Sequence, residues 1–321
     1  MSINVINPSN GDKLLRSGDK LLDSLGNSFP IIRGVPRIAP AENYTGNFGI
    51  QWNKFSKTQM DRDQLDLSEK RFFAETRWDR NCLDGQNILE VGSGAGRFSK
   101  VVLEHTQAAL WSVDYSDAVT ANYINNSKIA PERFHLFQAS IYELPFPDDS
   151  FDKVFCIGVL QHTPDFESSV IELIKKAKPG GEVVVDFYPV NGWWTKWHAK
   201  YLLRPFIKRI SHSRLMKLIE DNIDWLMKLE HGLHRVGLGV LARFLPIVDI
   251  QGTLPKSLLA AEKREWAILD TFDMFSPEYD NPQRIGDVAA MFARHGATVT
   301  FAGFERFEGA SAAVVRGIKT A

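Results

Sequence analysis

The chain has 321 residues, of which 44% are hydrophobic and 24% are charged, as in an ordinary globular protein. Its 38 lysines and arginines balance 39 acidic residues, and the net charge of −1 gives no overall attraction to nucleic acid. Two cysteines are too few for a disulfide framework or a cysteine zinc site. The start lacks a signal-peptide pattern and no apolar run approaches a membrane span, so we expect a cytoplasmic protein.

The first 42 residues predict short strands and turns, with candidate strands at 13–16, 20–22 and 28–38. This segment contains neither cysteine nor histidine, so we predict no metal in it. Three aromatic residues follow, Phe48, Trp52 and Phe55. They either close over a ligand or dock the N-terminal segment on its neighbour. A helix over 68–80 should then lead into the first strand of a sheet.

A glycine-rich turn follows that strand, whose apolar residues are Ile88, Leu89 and Val91. The glycines of the turn are Gly92, Gly94 and Gly96. They permit a tight turn and a close approach of ligand to backbone, and a helix beginning near Arg97 points its free N–H groups there. A dinucleotide site requires its third glycine at the sixth position, which Arg97 occupies here. Glu90, just before the turn, suits a cationic ligand better than a pyrophosphate.

Four further strands are predicted downstream, at 110–114, 134–141, 153–157 and 182–187. The second predicted strand ends in Asp114, a residue able to accept both hydroxyls of a ribose. Helical patterns between the strands, such as 166–178, predict a parallel sheet with right-handed crossovers. Ligands bind beyond the carboxyl ends of such strands, which is where we expect Glu90, Asp114, Ser140 and Gly158.

These motifs, in this order, resemble those of class I S-adenosylmethionine-dependent methyltransferases, in the broad bacterial group that includes quinone and sugar methyltransferases. The resemblance is dense over 70–190 and is carried by the segments 90–97, 113–114, 144–146, 151–152, 160–162 and 178–181. In addition, 29–38 resembles the end of a small zinc-ribbon-like cap that precedes some bacterial methyltransferase domains. The paired cysteines that hold zinc in such caps are missing here.

The resemblance implies S-adenosylmethionine as the cofactor. In the family, the glycine loop holds the methionine part of the cofactor and the acid at Asp114 holds the ribose. The position of Ser140 and Ile141 flanks the adenine, and the backbone near Gly158 faces the cofactor ammonium. The cofactor-binding residues predicted in this way are Glu90, Gly92, Ser93, Gly94, Gly96, Asp114, Ser140, Ile141 and Gly158.

Positioning supplies most of the acceleration in methyl transfer, but an oxygen or nitrogen nucleophile can also need a base. His162 is the candidate, because it follows the fourth strand and titrates near neutral pH. The alternative role for this residue is to orient its loop.

Residues 189–282 are too many for a simple crossover and have a mostly helical pattern, which we interpret as an inserted lid that binds the substrate. Lys196, Lys200, Arg204 and Lys208 recur every four residues and are predicted on one helix face, which Pro205 would kink. Such a face indicates an anionic acceptor or a weak contact with an acidic membrane surface; otherwise it is only solvated. The candidate substrate-binding residues are Tyr188, Trp194, Trp197, Lys196, Lys200 and Arg204.

A helix over 284–295 and two strands, 298–301 and 312–317, are expected to complete the sheet. The predicted fold is therefore α/β: a Rossmann-like class I methyltransferase sheet of seven mostly parallel strands, with a helical insertion after the fifth. We predict a cap over 1–42, a cofactor-binding core over 43–188, the lid over 189–282 and the end of the sheet over 283–321.

The predicted activity is O-methylation of a small-molecule or glycan-type acceptor, with no nucleic-acid partner. The pattern leaves the oligomeric state open. Two alternatives remain at this point: a methyltransferase-like partner or scaffold protein without catalysis, and a nicotinamide-dependent oxidoreductase. Arg97 at the sixth position of the glycine turn disfavours the second of these.

Overall fold

The protein is described by a computed structural model, which covers residues 3–40, 42–63, 65–190, 192–255 and 257–321. Among these residues, four short antiparallel strands form an N-terminal sheet. They are β1 (Leu15–Ser17), β2 (Lys20–Leu22), β3 (Ser28–Ile32) and β4 (Val35–Pro36). The likeness of this segment to a zinc-ribbon cap stays a prediction.

A larger sheet follows, made of β5 (Asn87–Val91), β6 (Ala109–Asp114), β7 (Phe134–Gln138), β8 (Phe151–Cys156), β9 (Ala177–Phe187), β10 (Ala297–Phe307) and β11 (Ala310–Lys319). In the described part of the chain its order is β10-β11-β9-β8-β5-β6-β7. Strands β5 to β9 run parallel, while β11 is antiparallel to both β9 and β10. This confirms the predicted α/β fold with seven mostly parallel strands.

The helices are α1 (Gly46–Lys54), α2 (Leu67–Thr76), α3 (Arg97–His105), α4 (Val119–Asn126), α5 (Phe166–Lys176), α6 (Ala199–Ile207), α7 (His212–Arg235), α8 (Ile250–Thr253), α9 (Ala260–Phe275) and α10 (Ile285–Arg294). Helix α5 ends two residues earlier than predicted, because β9 already begins at Ala177. The last two strands are longer than predicted and form a hairpin that turns at Glu308 and Gly309. No helix among the described residues has the length and apolar content needed to cross a bilayer.

Helices α6 to α9 form most of the segment interpreted as a lid, and they have an apolar core of their own. Ile223 and Phe272 are fully buried in this core, and Phe55, from the segment before the sheet, packs into it. Asn47 Nδ2 of α1 also donates a hydrogen bond to Ser276 Oγ over 3.1 Å. The lid therefore lies against α1, on the side of the sheet where the strands end.

One prediction about the lid is wrong in part. The four basic residues spaced by four do not share one helix, because α6 begins only at Ala199. His198 is its N-cap and accepts a hydrogen bond from the Lys200 backbone N–H over 3.2 Å. Lys196 lies in the preceding 3₁₀ turn, Trp193–Lys196. Pro205 is accommodated within α6, which ends two residues later.

Candidate active site

A cavity of about 720 Å³ lies between the carboxyl ends of the parallel strands and the lid. One wall is formed by the glycine loop, the end of β6 and the loop after β8. The facing wall includes Asp270 and Asp273 of α9, together with aromatic residues of α1. The volume is in the range of ligand pockets and opens where ligands bind in parallel α/β sheets.

Only glycine fits at two positions of the glycine loop, Gly92 and Gly96. Gly92 has a φ of 83°, and a Cβ there would lie 2.2 Å from a methyl carbon of Val159. Gly96 has a φ of 86°, and a Cβ there would lie 2.2 Å from the side-chain oxygen of Asn122. Both residues combine left-handed backbone with close packing, so the loop keeps its shape without a ligand.

Asp114 lines the cavity and also holds the glycine loop. Its Oδ2 accepts a hydrogen bond from the Gly94 N–H over 2.7 Å. Its Oδ1 accepts from the N–H and the hydroxyl of Ser116, over 2.8 and 2.6 Å. Burial raises the pKa of this carboxyl, although these bonds oppose the shift. A carboxylate has about four acceptor sites, so Asp114 retains capacity to accept from a ligand hydroxyl.

Glu90 lies behind the loop, outside the set of residues that line the cavity. Its Oε2 accepts hydrogen bonds from the hydroxyls of Ser99 and, over 2.7 Å, of Ser112. Burial raises the pKa of Glu90 to about 7. The expectation that this acid faces a cationic ligand is therefore corrected. Its carboxylate points between β5, β6 and α3, and it supports the loop from below.

Of the remaining predicted cofactor residues, some line the cavity and others do not. Ser93, Ile141 and Gly158 line the cavity, and the buried Ser93 hydroxyl has no hydrogen-bond partner in the described part of the chain. Ser140 does not line the cavity, and its hydroxyl accepts a hydrogen bond from the Tyr142 N–H over 3.2 Å. The Gly158 N–H donates to the carboxylate of Asp186, at the end of β9. Their roles stay predictions, but most of them meet on one wall.

His162 lies in the same cavity and is buried. Its Nδ1 is 3.2 Å from the backbone carbonyl oxygen of Tyr279, and this contact requires a proton on Nδ1. Nε2 has no hydrogen-bond partner and lies 3.8 Å from Asp273 Oδ2. Burial lowers the pKa of His162, which keeps the ring neutral. His162 therefore lines the cavity with a neutral ring whose Nε2 is unprotonated and buried.

Sequence reasoning missed several polar residues of the cavity. Gln161 is fully buried, and both its side-chain oxygen and nitrogen lack partners. Gln51 is also buried and its Oε1 is unpartnered. Asp270 and Asp273 extend from α9, and burial raises the pKa of Asp270 to about 7. The sequence could have indicated these two residues, because they are acids three positions apart in the mostly apolar stretch 266–275.

The structure brings only two of the six candidate substrate residues to the cavity. Tyr188 and Lys200 line it, and Lys200 Nζ lies 4.6 Å from the centre of the Tyr188 ring. Lys200 Nζ also forms a buried ion pair with Asp280 Oδ1 at 2.7 Å. Arg204 is buried and donates to the carbonyl oxygen of Pro277. The other three, Lys196, Trp194 and Trp197, are exposed and lie outside the lining set.

Comparison with known proteins identifies the core of the chain. Residues 89–185 match the family model described as a methyltransferase domain. The chain carries a methyltransferase domain. The match begins inside β5 and ends inside β9, so it contains the glycine loop, Asp114 and His162.

Two curated relatives show how much of the chain is shared. The tRNA U34 carboxymethyltransferase of Nautilia profundicola is 31% identical over 112 residues, which are 34% of this chain and 37% of that protein. The demethylmenaquinone methyltransferase of Tropheryma whipplei is 28% identical over 176 residues, which are 50% of this chain and 66% of that protein. The chain thus spans only part of the length of these relatives.

Among solved structures, the magnesium protoporphyrin IX methyltransferase of Synechocystis PCC 6803, solved with bound SAH, is 11% identical. The alignment covers 86% of this chain and 97% of that one, with a TM-score of 0.49.

S-adenosylmethionine is the cofactor of this methyltransferase domain, and the residues present fit it. The glycine loop lines the cavity, and the buried Ser93 hydroxyl has no hydrogen-bond partner among the described residues. Asp114 keeps an acceptor site for a ribose hydroxyl. Asp186 accepts from the Gly158 N–H and forms an ion pair with Arg71 at 2.6 Å, so its charge is already balanced.

Proposed function

We propose that this protein transfers a methyl group from S-adenosylmethionine to an oxygen of a small-molecule or glycan-type acceptor, with His162 as the base. The observation that carries the proposal is the position of His162. Its unpartnered Nε2 lies in the same cavity as the glycine loop and Asp114. A neutral imidazole in that position can take a proton from an acceptor hydroxyl.

When bound, S-adenosylmethionine supplies an already activated methyl group. The chain contributes binding and orientation: Asp114 accepts from the ribose, and the glycine loop lets the ligand approach the backbone. His162 holds its proton on Nδ1 through the Tyr279 carbonyl, so Nε2 is free to accept the acceptor proton. Asp273, 3.8 Å from Nε2, stabilises the imidazolium once it forms.

The polar groups around His162 support a hydroxyl-bearing acceptor. Among the described residues, Gln161 offers a donor and an acceptor atom without partners and Gln51 offers an unpartnered acceptor, and a hydroxyl can satisfy either kind. An anionic acceptor is less well supported. Lys200 is already paired with Asp280, and Asp270 and Asp273 place negative charge in the cavity wall. A weak contact of the lid with an acidic membrane surface stays a prediction.

Binding is tested first, by calorimetric titration of the protein with S-adenosylmethionine and, separately, with NAD. We expect saturable binding of S-adenosylmethionine alone. Binding of NAD alone would instead favour an oxidoreductase. Release of S-adenosylhomocysteine is then measured with a panel of catechols, hydroquinones and nucleotide-linked sugars.

With an acceptor in hand, His162→Gln should lower kcat by roughly 10²- to 10⁴-fold, because a positioned base is lost. Binding of S-adenosylmethionine should stay within about twofold of wild type. The wild-type rate should fall as pH decreases through the lowered pKa of His162, and the variant should lose this dependence. A variant that binds the cofactor and retains its rate would show that His162 only orients its loop. Absence of turnover with every acceptor would favour a scaffold role.

A further inference from the structure

The lid carries a second cluster of potential ligand atoms, outside the residues assigned to methyl transfer. Glu230 and His234 lie one turn apart near the end of α7, and Asp249 is the N-cap of α8. One ligand atom from each residue lies within 4.8 Å of the other two. Within this group, His234 Nε2 is 3.3 Å from Glu230 Oε1. Two carboxylates and an imidazole, contributed by α7 and the N-cap of α8, therefore lie close together.

Glu230 is the residue that lacks a partner. Its side chain is only 1% exposed, and its Oε2 has no hydrogen-bond partner. The other oxygen, Oε1, accepts only a long hydrogen bond of 3.4 Å from the Gln251 N–H, besides its contact with His234. A buried carboxylate left in this state is costly unless a cation approaches it.

The carboxylates of the cluster also lack a lysine or arginine side chain to balance their charge in the described part of the chain. Over the ranges that the structure describes, neither Glu230 nor Asp249 forms an ion pair with a lysine or an arginine. The two carboxyl groups carry up to two negative charges, although burial raises the pKa of Glu230. A divalent cation balances this charge and completes the coordination of the buried carboxylate oxygen.

We propose that Glu230, His234 and Asp249 bind one divalent transition-metal ion, Zn²⁺ or Mn²⁺, with water completing its coordination. One imidazole nitrogen with two carboxylates is a donor set that suits these ions, whereas Mg²⁺ prefers oxygen ligands alone. No sequence motif predicts this site, because Asp249 lies fifteen residues beyond His234.

The position of the site suggests what the ion does. Asp249, Gln251 and Gly252 line the cavity, whereas Glu230 and His234 belong to the long helix behind them. Asp249 Oδ1 already accepts a hydrogen bond from the Gly252 N–H over 3.0 Å, which orients the carboxylate. A metal ion would tie this part of the cavity wall to α7. It would be a structural ion, separate from the atoms that react.

The test uses the full chain, treated with a chelator and then titrated calorimetrically with ZnCl₂, MnCl₂ and MgCl₂. We expect one Zn²⁺ or Mn²⁺ per chain and much weaker binding of Mg²⁺. Glu230→Gln, His234→Ala and Asp249→Asn should each weaken binding at least tenfold. His231→Ala is the matched control, because it removes a neighbouring histidine of α7 that is not in the cluster.

Circular dichroism and S-adenosylmethionine binding establish that each variant is folded. The exposed Asp249 provides a variant that leaves the buried part of the lid intact. The proposal is overturned if the wild-type chain shows no saturable binding of Zn²⁺ or Mn²⁺. It is also overturned if the cluster variants bind as tightly as wild type, or if His231→Ala weakens binding as much as they do. These readouts do not depend on methyl transfer, so the result is separable from the proposed function.

Discussion

Tyr188 donates a hydrogen bond from its hydroxyl to Asp273 Oδ2 over 3.1 Å, joining the loop after β9 to helix α9 of the lid. The same carboxylate oxygen lies 3.8 Å from His162 Nε2. Burial, followed by the charge of Asp273, raises the pKa of Tyr188 well above its ordinary value, so its hydroxyl stays a donor. The lid therefore places a carboxylate where the strands of the methyltransferase domain end.

Replacing Asp114 by alanine should weaken S-adenosylmethionine binding at least about tenfold, or about 1.4 kcal/mol. The variant loses the acceptor for the ribose and also the acceptor that holds the Gly94 N–H. Isothermal titration measures the effect. Glu132→Ala, an exposed acid, is the control and should bind like wild type. Unchanged affinity in a folded Asp114 variant would remove this residue from the cofactor site.

Gly92→Ala should destabilise the protein more than Gly158→Ala. Both glycines have left-handed backbone, with φ of 83° and 77°. That conformation costs roughly 1–2 kcal/mol in either variant. Only at position 92 would the new Cβ also clash with Val159, whereas nothing lies within 4 Å at position 158. The clash should add about 1–3 kcal/mol. Urea unfolding without cofactor gives the two free energies, and equal values would contradict the packing argument.

Lys200→Gln should lower the free energy of unfolding by about 3 kcal/mol, because it leaves Asp280 charged and buried without its partner. The double variant with Asp280→Asn should be less destabilised than the sum of the single variants. Lys208→Gln breaks a much more exposed ion pair with Glu278 and should cost under about 1 kcal/mol. If Lys200→Gln is as mild as Lys208→Gln, Lys200 is free to bind an anionic acceptor instead.

The free energy of unfolding should fall as pH rises, because of the buried carboxyl group of Glu90. The folded pKa of this residue is about 7, above the ordinary value of 4.5. Between these values the unfolded chain releases its proton first, so the free energy of unfolding falls with increasing pH, by at most about 1.4 kcal/mol per pH unit. Stability is therefore highest below about pH 4.5 as far as Glu90 alone is concerned, and the full loss is reached above about pH 7.

Glu90→Gln should flatten this slope. Urea unfolding at several values between about pH 5 and about pH 8 measures it. Asp270 also has a pKa raised to about 7 by burial, so part of the dependence should persist in the variant. Parallel curves for wild type and variant would show that Glu90 stays ionised in the fold.

The sequence predicted the parts of the fold that depend on neighbouring residues. The apolar run of β5 and the glycines after it are consecutive, so strand, turn and the start of α3 at Arg97 could be read directly. The partner of Lys200 could not, because Asp280 is 80 residues away and meets it only through lid packing. The direction in which the Glu90 side chain points could not be predicted from the sequence either. The hydroxyls that donate to its carboxylate come from two other elements, Ser99 of α3 and Ser112 of β6, which meet it only in the folded chain.

The small N-terminal sheet has a consequence for how the protein behaves at high concentration. Strand β7 is the last strand on its side of the large sheet, and the backbone N–H groups of Ile38 and Ala39 donate to the carbonyl oxygen of Gln138 at its end. Val35 of β4 is fully buried, packed with Val119 and Leu136. An uncovered edge strand invites pairing with another chain. The N-terminal segment thus shields the sheet against edge-to-edge aggregation.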